Sequence, residues 1–411
     1  MKRPKHVIII TDYAWVIGGA SKVAMMSAIA LAERGYDTHH FSVVGPVAEA
    51  LAASGVSVHC LGQPSTLDEP NRIVGVQRGL WNRQAAKKFE RLLSRFPPGE
   101  SLVHVHQWTK ALSPSIFETI VRLGFRFVVT LHDYFISCPN GGFLVYKETE
   151  ICERKPLSVG CVVCNCDPRN YGHKVWRVFR QVIQNQVLLA SGRLTDVIYV
   201  SEFSRAILSR HLPDSLNWYY VPNPVQASQL PRVDVTANRH FVFVGRLSKE
   251  KGGHLFAEAA KLAGVPAVFV GDGEQRKDIQ RRNGNARITG WLLPDKVYDE
   301  LRRARALVFP SIWYEMQGLT VVEAASMGVP SIVGDRSAAR DYVRDGASGL
   351  YMNGASIEDL AAKLTMLQDD AVLDSMSRAA YDDFWQRPPT IDAHMAHLER
   401  TYATIFARQA G

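Results

Sequence analysis

The chain has 411 residues, enough for two or three domains of about 150 residues each, which excludes a peptide-sized module. Apolar residues make up 46% and charged residues 21% of the chain, an ordinary globular usage that excludes a disordered scaffold. The net charge is +8, and it is spread over many segments, unlike the basic runs of nucleic-acid-binding proteins, so no nucleic acid is expected as a partner.

The first apolar run, residues 7–10, is too short for the core of a signal peptide. No other run approaches the roughly 18 apolar residues that cross a bilayer. We therefore expect a cytoplasmic protein.

Short β-rich runs alternate with apolar patterns of helical period along the whole chain. The runs are residues 6–10, 38–44, 102–106, 125–132, 196–201, 240–245, 266–271, 306–310 and 329–334. Strands that are almost continuously apolar and alternate with helices are typical of parallel sheets covered on both faces. The predicted fold class is α/β, and because the pattern runs twice we predict two facing Rossmann-like domains.

We place the first domain at residues 1–220, a linker with three prolines at 221–240 and the second domain at 241–388. The remaining residues, 389–411, have apolar side chains at helical spacing and are predicted to form a helix that packs back on a domain. Two facing parallel sheets leave a cleft at the carboxyl ends of their strands, where ligands bind.

The first strand leads into Gly18 and Gly19, ahead of a helix expected to start near Ala20 or Ser21. Two glycines let a ligand approach the backbone, and a helix N-terminus offers unpaired N–H groups to phosphate. A tight β–α turn with no ligand is an equal alternative. The loop lacks the G-x-G-x-x-G pattern, which disfavours a dehydrogenase.

Basic residues exceed acidic ones only in the first half, where residues 1–222 contain 25 of the former and 17 of the latter. Segment 72–95 carries seven basic residues and one acidic residue, and an apolar face could come from Trp81, Phe89, Leu92 and Phe96. We therefore predict peripheral binding at an anionic membrane, where the protein would meet a lipid-linked saccharide. An ordinary solvated helix is the alternative.

Residues 138–166 interrupt the α/β rhythm and contain five of the six cysteines: Cys138, Cys152, Cys161, Cys164 and Cys166. In a cytosolic protein, Cys-x-x-Cys with further cysteines favours a metal over disulfides. A structural zinc is the leading prediction, with free thiols and an iron–sulfur cluster as alternatives.

In the second half, Arg246 follows a strand and Lys251 stands at the mouth of a helix, which suits a diphosphate. Further on, Glu315 and Glu323 flank the start of another helix. A carboxylate beside a phosphate site is repulsive unless hydroxyl groups donate to it, so sugar or ribose hydroxyls are the expected partners. Spacing alone leaves a purely structural role open for both carboxylates.

These residues resemble the retaining nucleotide-sugar glycosyltransferases of glycosyltransferase family 4. The resemblance runs from residue 6 to about 365 and is carried by Gly18–Gly19, His132, Gly245–Arg246, Lys251–Gly252, Gly271–Asp272–Gly273, Gly290, Pro310–Ser311, Glu315 to Glu323 and Gly328–Val329–Pro330. It implies the GT-B architecture of two facing Rossmann-like domains. It also implies sugar transfer, without a required cofactor, from a nucleotide-diphosphate sugar to a saccharide or lipid-linked saccharide in cell-surface polysaccharide biosynthesis.

The resemblance also implies roles for single residues. Arg246 and Lys251 would bind the donor diphosphate, and Glu323 would bind the ribose hydroxyls. Glu315 would lie against the transferred sugar, and His132 would line the sugar and acceptor side. The backbone N–H groups of Gly318, Leu319 and Thr320 would donate to phosphate oxygens. Gly18 and Gly19 would approach the phosphate from the opposite domain.

Two departures from the family pattern touch the sugar-facing side: Asp341 stands nearest a position that is often Glu, and Met316–Gln317 follow Glu315 where Pro-Phe or Gly-Phe is frequent. The chain has no Asp-x-Asp motif, which argues against the metal-dependent single-domain glycosyltransferases. A non-catalytic binding or regulatory protein, and a nucleotide-sugar epimerase or phosphorylase, remain alternatives on the same architecture.

Overall fold

The computed structural model describes residues 3–408. The ends of the predicted first domain and last helix, residues 1–2 and 409–411, lie outside the described residues. The strands of the first half are β1 (His6–Ile10), β2 (Asp37–Ser42), β3 (Ser57–Cys60), β4 (Ser101–Val105), β5 (Arg126–Leu131), β6 (Leu144–Val145), β7 (Glu150–Ile151), β8 (Asp196–Tyr199) and β9 (Asn217–Tyr220). Its helices are α1 (Gly19–Glu33), α2 (Glu49–Ala52), α3 (Arg72–Leu80), α4 (Arg83–Leu93), α5 (Ser115–Arg122), α6 (Val159–Val163), α7 (Tyr171–Leu188) and α8 (Glu202–Leu208).

The first sheet is parallel and seven-stranded, in the order β3-β2-β1-β4-β5-β8-β9, while β6 and β7 form a separate antiparallel hairpin. Strand β1 lies inside the sheet, with Ile8 opposite His39 on one side and Val103 on the other. Its continuous apolar sequence follows from this position, because both faces of the strand are covered.

The second half repeats the arrangement. Its strands are β10 (His240–Val244), β11 (Ala267–Val270), β12 (Arg287–Gly290), β13 (Ala304–Phe309), β14 (Ser331–Gly334) and β15 (Gly349–Met352). Its helices are α9 (Gly253–Leu262), α10 (Arg276–Arg282), α11 (Pro294–Arg302), α12 (Leu319–Ser326), α13 (Ile357–Met366), α14 (Asp370–Gln386) and α15 (Ile391–Ala407). The parallel sheet has the order β12-β11-β10-β13-β14-β15.

In both sheets the strand order reverses beside the first strand, between β1 and β4 and between β10 and β13. Open parallel sheets bind ligands at this point, beyond the carboxyl ends of the strands. The predicted α/β class with two Rossmann-like domains is confirmed. Between β9 and β10 the chain forms only a short 3₁₀ turn at Val235–Ala237.

The last helix, α15, crosses back and packs on the first domain, as predicted. Met395, Leu398 and Tyr402 are fully buried in one cluster with apolar residues of β1 and α1. On the rim, Arg34 donates to Asp392 at 2.7 Å and to Glu399 at 3.0 Å. The end of the chain therefore completes the core of its beginning.

The prediction that Phe89 and Leu92 of segment 72–95 belong to an apolar membrane-binding face is wrong. Phe89 and Leu92 of α4 are buried in the core of the first domain, with 0% and 5% of their surface exposed. Because these side chains fill the core, they are not available to a lipid surface. Within residues 3–408 no helix is both long and apolar enough to cross a membrane.

Leu398→Ala should destabilise the first domain by about 2–5 kcal/mol, because it leaves a cavity between α15 and the sheet. The matched control is Thr404→Ala, an exposed position on the same helix, which should change stability by less than about 0.5 kcal/mol. Chemical denaturation of both variants measures the difference. Equal stability of the two would contradict the packing of α15 on the first domain.

Candidate active site

The site lies where the connections after β1, β10 and β13 meet. Gly252, at the start of α9, has a φ of 72°, and a Cβ there would lie 2.0 Å from the carbonyl oxygen of Pro310. Only glycine allows this approach, which brings the connection after β10 against the loop after β13. As a result, Lys251 and Glu315 come together although 64 residues separate them.

Lys251 and Glu315 form an ion pair inside an aromatic pocket. The Nζ of Lys251 contacts the Oε2 of Glu315, and the same oxygen accepts from Trp313 Nε1 at 3.0 Å and from Ser311 Oγ at 3.3 Å. The ammonium also lies 5.5 Å from the ring centre of Trp313 and 5.8 Å from that of Phe309. Both charged side chains are mostly buried, so the attraction is screened less than at a free surface.

Arg246 belongs to the same connection but has another partner. Its Nη2 donates to Glu250 at 3.1 Å, and Glu250 is held by Ser248 Oγ at 2.7 Å. Glu250 is buried, whereas 60% of the Arg246 side chain is exposed. The guanidinium is therefore anchored on one side and open to the cleft on the other.

Helix α12 starts at Leu319, after Gly318, and faces the first domain. A Cβ on Gly19 would lie 3.6 Å from Leu319 Cδ1, so the start of α1 stands directly opposite the start of α12. The N–H of Gly18 is not directed at the cleft, because it donates to Ser21 Oγ at 3.2 Å. The backbone N–H groups at the start of α12, up to that of Thr320, have no partner within the helix. They are therefore the groups in this part of the cleft that could bind an anion.

A second ion pair bridges the cleft. Glu323, one turn into α12, faces Lys22 of α1 at 3.7 Å. Burial raises the pKa of the Glu323 carboxyl, and the charge of Lys22 and a hydrogen bond from Tyr298 oppose that rise. Lys22 was not among the predicted site residues. Its position one turn after the paired glycines, at the start of a helix that borders the cleft, could have indicated it.

His132 lies at the end of β5, on the side of the first domain. Its Nε2 is 2.9 Å from Nδ1 of His106, and the two rings stack at 5.1 Å. Burial lowers the pKa of His132 to about 3, so the ring is neutral at physiological pH. The contact continues through His104, whose ring lies 4.1 Å from that of His106, to the hydroxyl of Tyr402 on α15.

The loop that carries Glu315 is held by the first domain. Met316 is buried in the first domain's core, and its carbonyl oxygen accepts from Ser201 Oγ at 2.7 Å. Asp341 accepts from the backbone N–H of Phe203 at 3.2 Å. Both departures from the family pattern therefore make contacts between the two domains.

The five clustered cysteines do converge: Cys138, Cys152, Cys161, Cys164 and Cys166 all line one cavity of about 10 Å³. All five are free thiols, and burial raises the pKa of Cys166 to about 12. Lys174, only 1% exposed, places its Nζ 3.4 Å from Cys161 Sγ. Within residues 3–408, however, no group of three or more His, Cys, Asp or Glu residues is placed so that it could hold a metal ion.

Comparison with known proteins identifies the family. A family profile described as glycosyl transferases group 1 matches residues 238–370, and one described as a glycosyl transferase 4-like domain matches residues 18–224. The chain belongs to the glycosyl transferase 4-like family, whose profile covers half of it, and its second domain matches the group 1 profile. The resemblance drawn from the motifs is confirmed.

Two curated relatives show the range within this family. A GDP-mannose-dependent alpha-mannosyltransferase of Corynebacterium glutamicum is 28% identical over 40% of this chain and 40% of its own length. A UDP-Gal:alpha-D-GlcNAc-diphosphoundecaprenol alpha-1,3-galactosyltransferase of Escherichia coli is 30% identical over 34% and 38%. The match thus spans about two fifths of the length of each of these two relatives.

The fold likeness is more extensive than the sequence likeness. The sucrose-phosphate synthase of Thermosynechococcus elongatus aligns with a TM-score of 0.71 over 98% of this chain and 100% of its own, at 17% identity. At that identity the likeness concerns the fold alone. It confirms the predicted GT-B architecture.

The partly buried, neutral His132 predicts a pH dependence of stability. An unfolded histidine titrates near 6.5, so between that pH and about 3 the unfolded state binds a proton that the folded state does not. Acidification from pH 7 to pH 5 should therefore lower the unfolding temperature, and the decline should be shallower in His132→Asn. Parallel pH profiles of the two proteins in thermal unfolding would contradict a buried neutral ring.

The structural zinc remains a prediction. The thiols are donors of the right kind for zinc, but as placed they do not form a coordinating group. Elemental analysis of protein purified without added metal decides the question. About one equivalent of zinc would support the prediction, and less than about 0.2 equivalents of zinc and iron together would leave a cluster of free thiols.

Proposed function

We propose that this protein transfers a sugar from a nucleotide-diphosphate sugar to a saccharide or lipid-linked saccharide acceptor, with retention at the anomeric carbon. The observation that carries the proposal is the Lys251–Glu315 pair beside the start of α12, with α1 of the other domain directly opposite. Two basic side chains, a helix N-terminus and two carboxylates then surround one cleft. Membership of the family supports this use of the cleft.

Positively charged groups hold the diphosphate of the donor, and carboxylates hold its hydroxyl groups. Arg246 and Lys251 neutralise the diphosphate together with the first-turn N–H groups of α12. When Lys251 turns to the phosphate, the Glu315 oxygen loses one of its three donors and can accept from a sugar hydroxyl instead. Glu323, which faces Lys22, accepts from the ribose hydroxyls.

The transfer itself needs little covalent chemistry from the chain. The bond from the anomeric carbon to the phosphate oxygen breaks while the acceptor oxygen forms its bond on the same face of the sugar. The acceptor's proton passes to the leaving phosphate oxygen. Stabilising the charge on that leaving group is the chief task of Arg246 and Lys251, and neutral His132 orients the sugar without adding charge.

The relatives' names bear on the donor and the acceptor. One acts with GDP-mannose and the other with UDP-galactose, so no base or sugar is assigned to this protein. The galactosyltransferase acts on a diphosphoundecaprenol-linked saccharide, which supports a lipid-linked acceptor and a role in surface polysaccharide biosynthesis. With such an acceptor, we propose that the protein acts in the cytoplasm, peripherally at the inner face of the membrane.

A panel of sugar nucleotides, assayed with saccharide and lipid-linked acceptors, tests the proposal. Release of a nucleoside diphosphate with a new glycosidic bond is the expected result. An epimerase would convert the donor without acceptor-dependent release, and a binding protein would do neither. The anomeric configuration of the product, read by NMR, decides between retention and inversion.

Arg246→Ala and Lys251→Ala should each lower transfer by about 100-fold or more, because each removes a cation from the leaving diphosphate. Glu323→Ala should mainly raise the donor KM. Steady-state kinetics at varied donor concentration separates these effects. Lys261→Ala, an exposed lysine at the end of α9, is the matched control and should retain wild-type rates. Near-wild-type turnover of both cation variants at saturating donor would overturn this site.

A further inference from the structure

A groove on the first domain lies between α3 and α7, beside the loop of residues 65–70. Its outer chamber holds about 800 Å³ and its inner chamber about 140 Å³. Trp176 and His173 of α7 line both chambers, so the two lie side by side. The candidate active site does not use any of these side chains.

The groove is built around the indole of Trp176. Its Nε1 donates to the carbonyl oxygen of Val76 at 3.2 Å, which fixes the ring against α3. A Cβ on Gly79 would lie 2.3 Å from that ring, so glycine is required for the contact. A flat aromatic wall that is held in place suits stacking against a sugar.

Positive charge dominates the walls. The linings of the two chambers together contain five lysines and arginines and two acidic residues. Arg72 and Arg169 are exposed in the outer chamber. Of the acidic lining residues, Glu69 pairs with Arg78, and Asp68 accepts from Ser65 Oγ at 2.5 Å.

The inner chamber contains three cations close together: Lys110, Arg177 and Arg180. Arg177 pairs with Asp167 at 3.2 Å, whereas the side-chain hydrogen bonds of Arg180 go to two carbonyl oxygens and its buried Nε has no partner among the described residues. Burial first, and then repulsion by Arg177, lowers the pKa of Lys110 and Arg180. The carboxylates of Asp12 and Asp133 lie nearby and oppose this shift.

The position and the rim of the groove indicate what enters it. The inner chamber is lined by Phe135, three residues after His132, and by Tyr13, which follows the end of β1. Both residues follow the carboxyl ends of strands, so the inner chamber lies at the same edge of the first sheet as the cleft. At the outer chamber, Leu67 and Val76 each expose 48% of their surface, which makes an apolar rim beside basic walls.

We propose that this groove binds the acceptor, and that the acceptor is a saccharide bearing a phosphate or diphosphate. The inference rests on the proposed function, since it assigns the second substrate of that reaction. The phosphate lies against Arg72 and Arg169, and the sugar lies along Trp176 toward His132. The apolar rim receives a lipid chain where the phosphate carries one.

Calorimetric titration tests binding without any turnover. The probes are N-acetylglucosamine 1-phosphate, its dodecyl diphosphate analogue and uncharged methyl N-acetylglucosaminide. Both phosphorylated probes should bind the wild type, and Arg72→Gln and Arg169→Gln should each weaken them by about tenfold through loss of a charged hydrogen bond. Lys87→Gln, an exposed α4 position outside the groove lining, is the matched control.

Each result of the titration either supports or overturns binding in the groove. Equal binding of the uncharged probe, or unchanged binding in both arginine variants, overturns the inference. Loss of binding in Arg246→Gln instead would place the probes in the donor cleft and also overturns it. Tighter binding of the dodecyl probe identifies a lipid-linked acceptor, and equal binding of both phosphates identifies a soluble sugar phosphate.

Kinetics distinguishes this inference from the proposed function. In the arginine variants the acceptor KM should rise about tenfold, while the donor KM and the slow hydrolysis of the donor by water stay unchanged. If no sugar nucleotide is turned over by the wild type, the proposed function fails, whereas the titration still decides whether the groove binds phosphate-bearing saccharides.

Discussion

The structure depends on one loop of the second domain that is built into the first. The chain after β13 buries Met316 in the core of the first domain, while the neighbouring Glu315 keeps its ion pair with Lys251 in the second. A close approach at Gly252 fixes that pair, since no larger residue fits against Pro310. The carboxylate therefore sits at the junction of the two domains, and any change in their relative position moves it with respect to the donor cations.

The two domains meet this junction with different chemistry. The second domain supplies exposed or ion-paired cations such as Arg246. The first supplies, besides Lys22, the neutral imidazoles of His132 and His106. Burial explains the neutrality, because a charged ring in that interior would lack a compensating anion. In the proposed transfer, the charge of the leaving diphosphate would therefore be stabilised mainly by the second domain.

Much of this arrangement follows from local sequence. Continuous apolar strands such as residues 7–10 specify buried parallel sheets. Helix α1 starts within two residues of its predicted position, and α12 starts between Glu315 and Glu323 as predicted. Lys251 and Glu315 could be proposed from their places beside a strand end and a helix start. These features depend on short stretches of chain, in which periodicity and turn residues carry the information.

Other features were decided only by the tertiary structure. The amphipathic pattern around Phe89 gave no indication of whether its apolar face meets lipid or core, and packing on the sheet settled it. Lys22 meets Glu323, and His106 meets His132, only because distant parts of the chain fold against one another. A sequence determines which surfaces are apolar, charged or able to cap a helix, but which of them face each other depends on the free energy of the whole packed arrangement.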